Sequence, residues 1–126
     1  MSKLLDRALT YYEASCEIYL RHESEDRFIQ TACSIMYESL QKILDRELIR
    51  NGMQDETDSD FQTKFYNVSD KYSDTEWFKV LDNHSSDIEM WSFDLIDKAD
   101  PEGFSNFWAV SMAVAIWLNK LRESDA

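Results

Sequence analysis

Apolar side chains recur every three or four residues along the first half of this chain, which is the spacing of one face of an α-helix. The first run predicts a helix over residues 3–22, and the second predicts a helix that begins after Ser24 and ends at Gly52. Serine is a common N-terminal cap, and glycine commonly follows a helix C-terminus. The apolar positions are Leu5, Ala8, Leu9, Tyr12, Cys16, Tyr19 and Leu20 in the first helix, and Ile29, Ala32, Cys33, Met36, Leu40, Ile43 and Leu44 in the second.

Shorter elements are predicted for the middle of the chain. Residues 53–60 read MQDETDSD, a polar loop, and Asp60 is placed to cap a third helix over residues 61–72. The further predictions are a short helix from Asp74 or Thr75 through Leu81, a break at residues 83–86 and another helix near residues 87–99.

The last part of the chain predicts an apolar helix. Asp100 and Pro101 form a start signal, because Asp caps helices and Pro fits the first helical position. The segment that follows, FSNFWAVSMAVAIWL, is apolar on almost every side, which is typical of a helix surrounded by others. It has about 15 residues, fewer than the roughly 20 that a membrane span needs. We therefore expect Trp91, Trp108 and Trp117 to lie in the core.

These elements predict an all-α fold. The chain has 126 residues, 44% of them hydrophobic, which suits one domain over residues 1–126. Two glycines and one proline are too few for the many turns of a β-sandwich or β-barrel. The expected architecture is a compact bundle of five to six helices with a buried apolar C-terminal helix.

The negative charge is concentrated in one stretch. Residues 54–102 contain 14 acidic residues and 4 lysines, a net charge of −10, whereas the whole chain carries −12. Such a surface attracts cationic partners and repels nucleic acid and anionic membranes. We therefore expect a basic protein partner, with no direct contact to nucleic acid or membrane.

Few residues are suited to catalysis or metal binding. Cys16 and His22 lie six residues apart and do not share a helix face, so they do not form a nucleophilic pair. Neither His22 nor His84 follows a glutamate by three residues, as helical di-metal sites require. We expect no enzymatic activity, no metal and no cofactor. Cys16 and Cys33 are interpreted as reduced thiols, and with no apolar export signal at the start of the chain they indicate a cytoplasmic protein.

One resemblance concerns helix order. An opening amphipathic helix, a longer second helix and an apolar last helix resemble the arrangement of HEPN domains. HEPN ribonucleases carry an Arg followed four to six residues later by His. The corresponding positions here hold Trp77, Phe78 and Lys79 before His84, and Ser15, Cys16 and Glu17 before His22. The resemblance therefore implies no ribonuclease activity.

A second resemblance concerns size, charge and helical class. The chain is similar in these respects to the small, acidic, cytoplasmic immunity proteins that partner bacterial toxins, including those of contact-dependent growth inhibition. This resemblance implies a dedicated toxin domain as the partner. Nuclease toxins present Lys and Arg to phosphates, and carboxylates on a rigid scaffold bind the same groups. The resemblance implies an inhibitor that neutralises a basic nuclease-type toxin.

The candidate binding residues lie in the acidic middle stretch. Aromatic anchors add apolar burial to charge pairing. Because two adjacent large rings cannot share one helix face, we expect either Trp77 or Phe78 to be exposed. The predicted carboxylates are Asp55, Glu56, Asp58, Asp60, Asp70, Asp74, Glu76, Asp82, Asp87 and Glu89, and the predicted anchors are Tyr66, Trp77 and Phe78.

Two other functions remain open. A nucleic-acid mimic that inhibits a DNA-binding enzyme would also be acidic, but its carboxylates usually cover most of the surface. A helical adaptor or assembly subunit would bind through an apolar patch. Salt dependence distinguishes the adaptor from both electrostatic functions, because salt screens charge and leaves apolar contacts in place.

Overall fold

Six α-helices and three short 3₁₀ segments account for most of residues 3–22 and 24–125, the part of the chain that this computed structural model describes. No strand occurs in that part, so the all-α prediction is confirmed. The α-helices are α1 (Lys3–His22), α2 (Asp26–Arg50), α3 (Phe61–Tyr72), α4 (Glu76–Asn83), α5 (Ser85–Glu89) and α6 (Phe107–Asp125). The 3₁₀ segments are Gln54–Asp58, Ile96–Lys98 and Pro101–Asn106.

Two helix ends follow capping residues in the sequence, Gly52 after α2 and Asp60 before α3. Gly52 adopts a φ of 76° after α2, and the amide of Met53 donates to the Leu48 carbonyl oxygen at 2.8 Å, as in a Schellman cap. Asp60 caps α3, as predicted. The start of α2 differs, because Glu25 precedes its first residue and makes no side-chain cap.

The first two helices form an antiparallel hairpin held by buried serines. The Ser39 hydroxyl donates to the Ala8 carbonyl oxygen at 2.6 Å, and the Ser15 hydroxyl donates to that of Ala32. Ala8 and Ala32 are fully buried and bring the two backbones close together. These hydrogen bonds fix the register of α1 against α2, because each hydroxyl reaches one particular carbonyl of the other helix.

Helix α2 lies at the centre of the bundle. It packs against α1, α3, α5 and α6. Its buried side chains occupy almost every face: Ala32, Cys33, Ser34, Met36, Tyr37, Ser39, Leu40, Ile43, Leu44, Arg46, Glu47 and Leu48. The all-round apolar sequence of the C-terminal helix led us to expect that helix at the centre, and the structure corrects this.

Helix α6 is buried along one face and exposed along the other. The buried face carries Phe107, Val110, Ser111, Ala113, Val114, Trp117, Leu118 and Leu121. Trp91 and Trp117 are fully buried, as predicted, but Trp108 is 41% exposed and the prediction for it is wrong. Its ring lies at the edge of α1, where it meets Tyr19 at a centroid distance of 5.1 Å. Within the described segments, no helix has both the length and the apolar character needed to cross a membrane.

The prediction of a helix near residues 87–99 is wrong. Helix α5 ends at Glu89, and turns lead to the 3₁₀ segment Ile96–Lys98. The carbonyl oxygen of Trp91 accepts a hydrogen bond from the Ser34 hydroxyl of α2 at 2.7 Å, a tertiary contact made outside any helix. The residues that follow include Ser, Phe, Asp and Ile, which are poorer helix formers than Ala or Leu.

An aromatic cluster joins α3, α4 and α6. Phe65 of α3 stacks on Phe78 of α4 with ring centroids 4.7 Å apart. Trp117 of α6 meets Tyr72 at 5.2 Å and Trp77 at 5.3 Å. Contacts at these distances stabilise a core beyond the burial of apolar area alone.

We expect Trp117→Ala to lower the free energy of unfolding by about 3–5 kcal/mol, because it leaves a cavity inside this cluster. Trp108→Ala is the matched control and should cost about 1–2 kcal/mol, since its ring is partly in water. Urea unfolding followed by circular dichroism measures both losses. Equal losses would contradict the different burial of the two rings.

Candidate functional site

The ten predicted carboxylates lie on six parts of the chain between residues 54 and 89, and we call them the acidic surface. They occupy the 3₁₀ segment Gln54–Asp58, helices α3, α4 and α5, and the turns that precede α3 and α4. Seven are exposed: Asp55, Asp58, Asp60, Asp70, Asp74, Glu76 and Asp82. Glu56, Asp87 and Glu89 are half-buried.

Two of the four lysines of residues 54–102 contact α2 rather than these carboxylates. The Lys64 ammonium lies 2.8 Å from a carboxylate oxygen of Asp45 and is almost fully buried. Lys71 lies 3.5 Å from the carboxylate of Glu47. Both lysines are therefore paired with acidic residues of α2, and the acidic surface is left with less positive charge than its sequence suggests.

One ion pair is formed within the acidic surface. Lys79 lies 3.6 Å from Glu76, and both side chains are more than half exposed. In the part of the chain that the structure describes, no Lys or Arg lies within 4.0 Å of the other nine carboxylates. Within the described segments, nine of the ten carboxylates are thus not neutralised by an ion pair, which strengthens the field of this surface towards a cationic partner.

Two of the carboxylates also hold local structure. A carboxylate oxygen of Asp60 accepts from the Thr63 amide at 2.8 Å, and this hydrogen bond lowers the pKa of Asp60. The Glu56 carboxylate accepts from the Ser59 hydroxyl at 2.8 Å and from the Asn67 side chain at 3.4 Å. The second contact joins the 3₁₀ segment to α3.

Asp87 also has a structural role. It accepts from the Asn106 side chain at 2.8 Å, which ties α5 to the 3₁₀ segment Pro101–Asn106. A Cβ atom on Gly103 would lie 3.0 Å from the Asp87 carboxylate, so glycine permits this close approach. Asp87 is therefore less available to a partner than the seven exposed carboxylates.

A group of buried charged residues supports the acidic surface from below. The Glu47 carboxylate is almost completely buried and lies 2.8 Å from the Arg46 guanidinium. The Tyr72 hydroxyl donates to it at 3.0 Å. Burial raises the pKa of Tyr72, so the hydroxyl stays protonated and keeps donating at neutral pH. These contacts fix the end of α3 on α2.

Of the three predicted anchors, only Tyr66 is exposed. Its side chain is 76% accessible on α3, one turn before Asp70 and next to Asn67. The expectation that Trp77 or Phe78 is exposed is wrong, because both rings are buried. Both rings contact Tyr72 of α3 and Trp117 of α6, so the aromatic cluster buries two adjacent rings of α4.

A cavity lies between the 3₁₀ segment Gln54–Asp58 and Asn67, the residue that follows Tyr66 on α3. It has a volume of about 350 Å³. The lining residues are Gly52, Met53, Gln54, Asp55, Glu56 and Asn67. The structure thus brings Asp55 and Glu56 to the neighbour of Tyr66 in the chain, whereas Asp87 contacts Asn106 and Gly103.

Sequence reasoning missed an apolar groove between α4 and α6. The groove has a volume of about 450 Å³, and its rim includes Glu76. Its other lining residues are Trp77, Val80, Ala109, Met112, Ala113 and Ile116. The signal was present, since Trp108, Met112 and Ile116 are spaced four residues apart, but an all-round apolar helix does not reveal which face its neighbours leave open.

The two thiols are protonated at neutral pH. Burial raises the pKa of Cys33 to about 12 and also raises that of Cys16, which is half-buried. A thiol is a weak nucleophile when its thiolate is this scarce. Among the described residues, no three His, Cys, Asp or Glu side chains are grouped so as to hold a metal ion.

No protein-family model matches this sequence, and no curated protein or solved structure shows significant similarity to it.

We expect Cys33 to be nearly inert to a chromogenic disulfide reagent in the folded protein, because the rise in pKa from 9.0 to about 12 lowers its thiolate fraction about a thousandfold. Absorbance at pH 8 measures the rate, and Cys16→Ser isolates the buried thiol. Unfolding in guanidinium chloride is the control and should make it fully reactive. A fast reaction of Cys33 in the folded Cys16→Ser variant would contradict the burial.

Proposed function

We propose that this protein binds and neutralises a basic nuclease-type toxin, as an immunity protein or inhibitor. The observation that carries the proposal is the set of nine carboxylates that form no ion pair with any Lys or Arg among the described residues. Those carboxylates take the positions of nucleic-acid phosphates against the toxin's Lys and Arg side chains. The partner is a protein and the expected compartment is the cytoplasm.

The contact centres on the cavity lined by Asp55 and Glu56, whose volume of about 350 Å³ accommodates a Lys or Arg side chain. A guanidinium pairs with a carboxylate through two parallel hydrogen bonds, which adds direction to the charge attraction. Tyr66, exposed on α3, supplies apolar surface, a common role of tyrosine at interfaces. Trp77 and Phe78 do not serve as protruding anchors because they are in the core.

The second candidate function is that of a helical adaptor, and the exposed apolar face of α6 favours it. An adaptor would bind through Met112 and Ile116 with little dependence on salt. Nothing in the structure favours a nucleic-acid mimic over the inhibitor, since the excess charge lies in residues 54–102 and not over the whole chain.

Affinity capture from the producing cells, at low and at high salt, separates these functions. A single basic partner retained at low salt and lost near 1 M salt, whose nuclease activity the pure protein blocks, supports the inhibitor. At 1 M salt the Debye length is about 3 Å, so exposed charge pairs are strongly screened. A partner retained equally at both salt concentrations, with no effect on any nuclease, supports the adaptor and contradicts the inhibitor.

We expect the double change Asp55→Lys and Asp58→Lys to slow association with the captured partner by about tenfold, because charge steering raises on-rates. Glu13→Lys with Glu123→Lys is the matched control. Both residues are exposed outside the acidic surface, and each double variant changes the net charge from −12 to −8. Surface plasmon resonance at low salt measures the rates. Equal slowing in both variants would show a general charge effect and no local site.

We expect Tyr66→Ala to raise the dissociation rate of the same complex by about tenfold or more, as loss of a central aromatic contact does. Phe93→Ala is the control, because Phe93 is also largely exposed but lies outside the acidic surface. Both substitutions should leave the circular dichroism spectrum unchanged. If Phe93→Ala has the larger effect, the interface lies elsewhere.

A further inference from the structure

The groove between α4 and α6 is an apolar surface on a highly charged protein. Met112 is 65% exposed and Ile116 is 42% exposed. Residues 103–119 contain no charged side chain. An exposed methionine in an apolar groove marks surfaces that bind other proteins, because methionine adapts its shape to the partner.

The two helices that form the groove pack against each other. Trp77, near the start of α4, packs on Trp117 in the middle of α6, and the groove also includes Ala109 near the start of α6. Two neighbouring helices leave a channel between their axes in which a third helix packs. The lining is therefore suited to an added helix, whose apolar residues would recur at helical spacing.

Charge on the α4 side of the groove is negative. Glu76 lies on the rim, with a side chain that is 92% exposed. The segment from Asp74 to Asn83 carries three acidic residues and one lysine, and that lysine is Lys79, already paired with Glu76. A segment that fills the groove therefore meets an acidic edge.

We propose that this groove binds a cationic amphipathic helix of the partner, with its apolar face against Met112 and Ile116 and its basic side chains towards Glu76. The proposal rests on the proposed function in one respect, namely that the partner is cationic. It adds a second contact region, distinct from the cavity lined by Asp55 and Glu56, and states the secondary structure of the segment that binds there.

Two other occupants fit the groove less well. A second copy of this chain would bring two molecules of net charge −12 together, and like charges across an interface are strongly unfavourable. A small apolar molecule would remain largely in water, because Met112 lies on an open face, whereas small-molecule sites bury most of the ligand surface.

The test uses a synthetic peptide of about 18 residues, or five helical turns, made of Leu and Lys at amphipathic spacing. Two matched control peptides are used. In the Leu/Glu peptide all Lys are replaced by Glu, and in the Lys/Ser peptide all Leu are replaced by Ser. We expect the Leu/Lys peptide to bind and to shift the backbone amide resonances of α4 and α6. Equal binding of the Leu/Glu peptide, or equal binding of the Lys/Ser peptide, would overturn the proposal.

Variants locate the binding site. Met112→Ser with Ile116→Ser should weaken Leu/Lys peptide binding by about tenfold or more, as loss of a central apolar contact does. Leu20→Ser with Ile49→Ser is the matched control, because these side chains are 61% and 43% exposed and lie outside both the groove and the acidic cavity. Ala109→Trp is a second variant that fills the groove without removing apolar surface, and it should weaken binding equally. Unchanged affinity in both groove variants would overturn the proposal.

The result of the peptide experiment can be distinguished from the result of the test of the proposed function. The peptide experiment contains no toxin, so it succeeds or fails whatever the nuclease assay shows. If the toxin is inhibited but neither groove variant affects the peptide, only the groove proposal fails. If the protein forms a dimer that Met112→Ser with Ile116→Ser abolishes in sedimentation velocity, the occupant is a second copy and the cationic helix is rejected.

Discussion

Lys64 and Lys71 extend from α3 to the carboxylates of α2, where Asp45 and Glu47 hold them at 2.8 and 3.5 Å. A buried charge is costly unless a charged partner and hydrogen bonds satisfy it, so the nearly buried Lys64 favours this one placement of α3. Because of these ion pairs, two of the four lysines of residues 54–102 do not pair with the carboxylates of the same residues. The excess negative charge of the acidic surface is therefore a consequence of how α3 is attached to the bundle.

Tyr72 links this ionic attachment to the aromatic core. Its hydroxyl donates to Glu47, while its ring contacts Trp77 at 5.3 Å and Trp117 at 5.2 Å. Helix α4 is thereby held between α3 and α6, with both of its large rings buried. The acidic edge of α4 is exposed to solvent, and the apolar groove lies between α4 and α6.

Periodicity and caps predicted α1, α2 and α3 well, because their apolar stripes are long and Gly52 and Asp60 mark clear ends. Seven of the ten carboxylates selected from the sequence are exposed, whereas Glu56, Asp87 and Glu89 are half-buried. The failures have tertiary causes: Ser34 binds the Trp91 carbonyl where a helix was expected, and α6 has too few neighbours to cover Trp108. The pairing of Lys64 and Lys71 with α2 could not be predicted from the sequence either, because it joins residues about twenty positions apart.

Glu76 belongs both to the acidic surface and to the rim of the groove, so the two proposed contact regions meet on one short helix. They act on different steps of binding. Exposed charges act at long range and raise the rate at which a cationic partner arrives, whereas a filled apolar groove slows its departure. An inhibitor that must bind before damage occurs and then remain bound needs both effects. In the proposed complex, a single partner that contacts α4 both associates faster and dissociates more slowly.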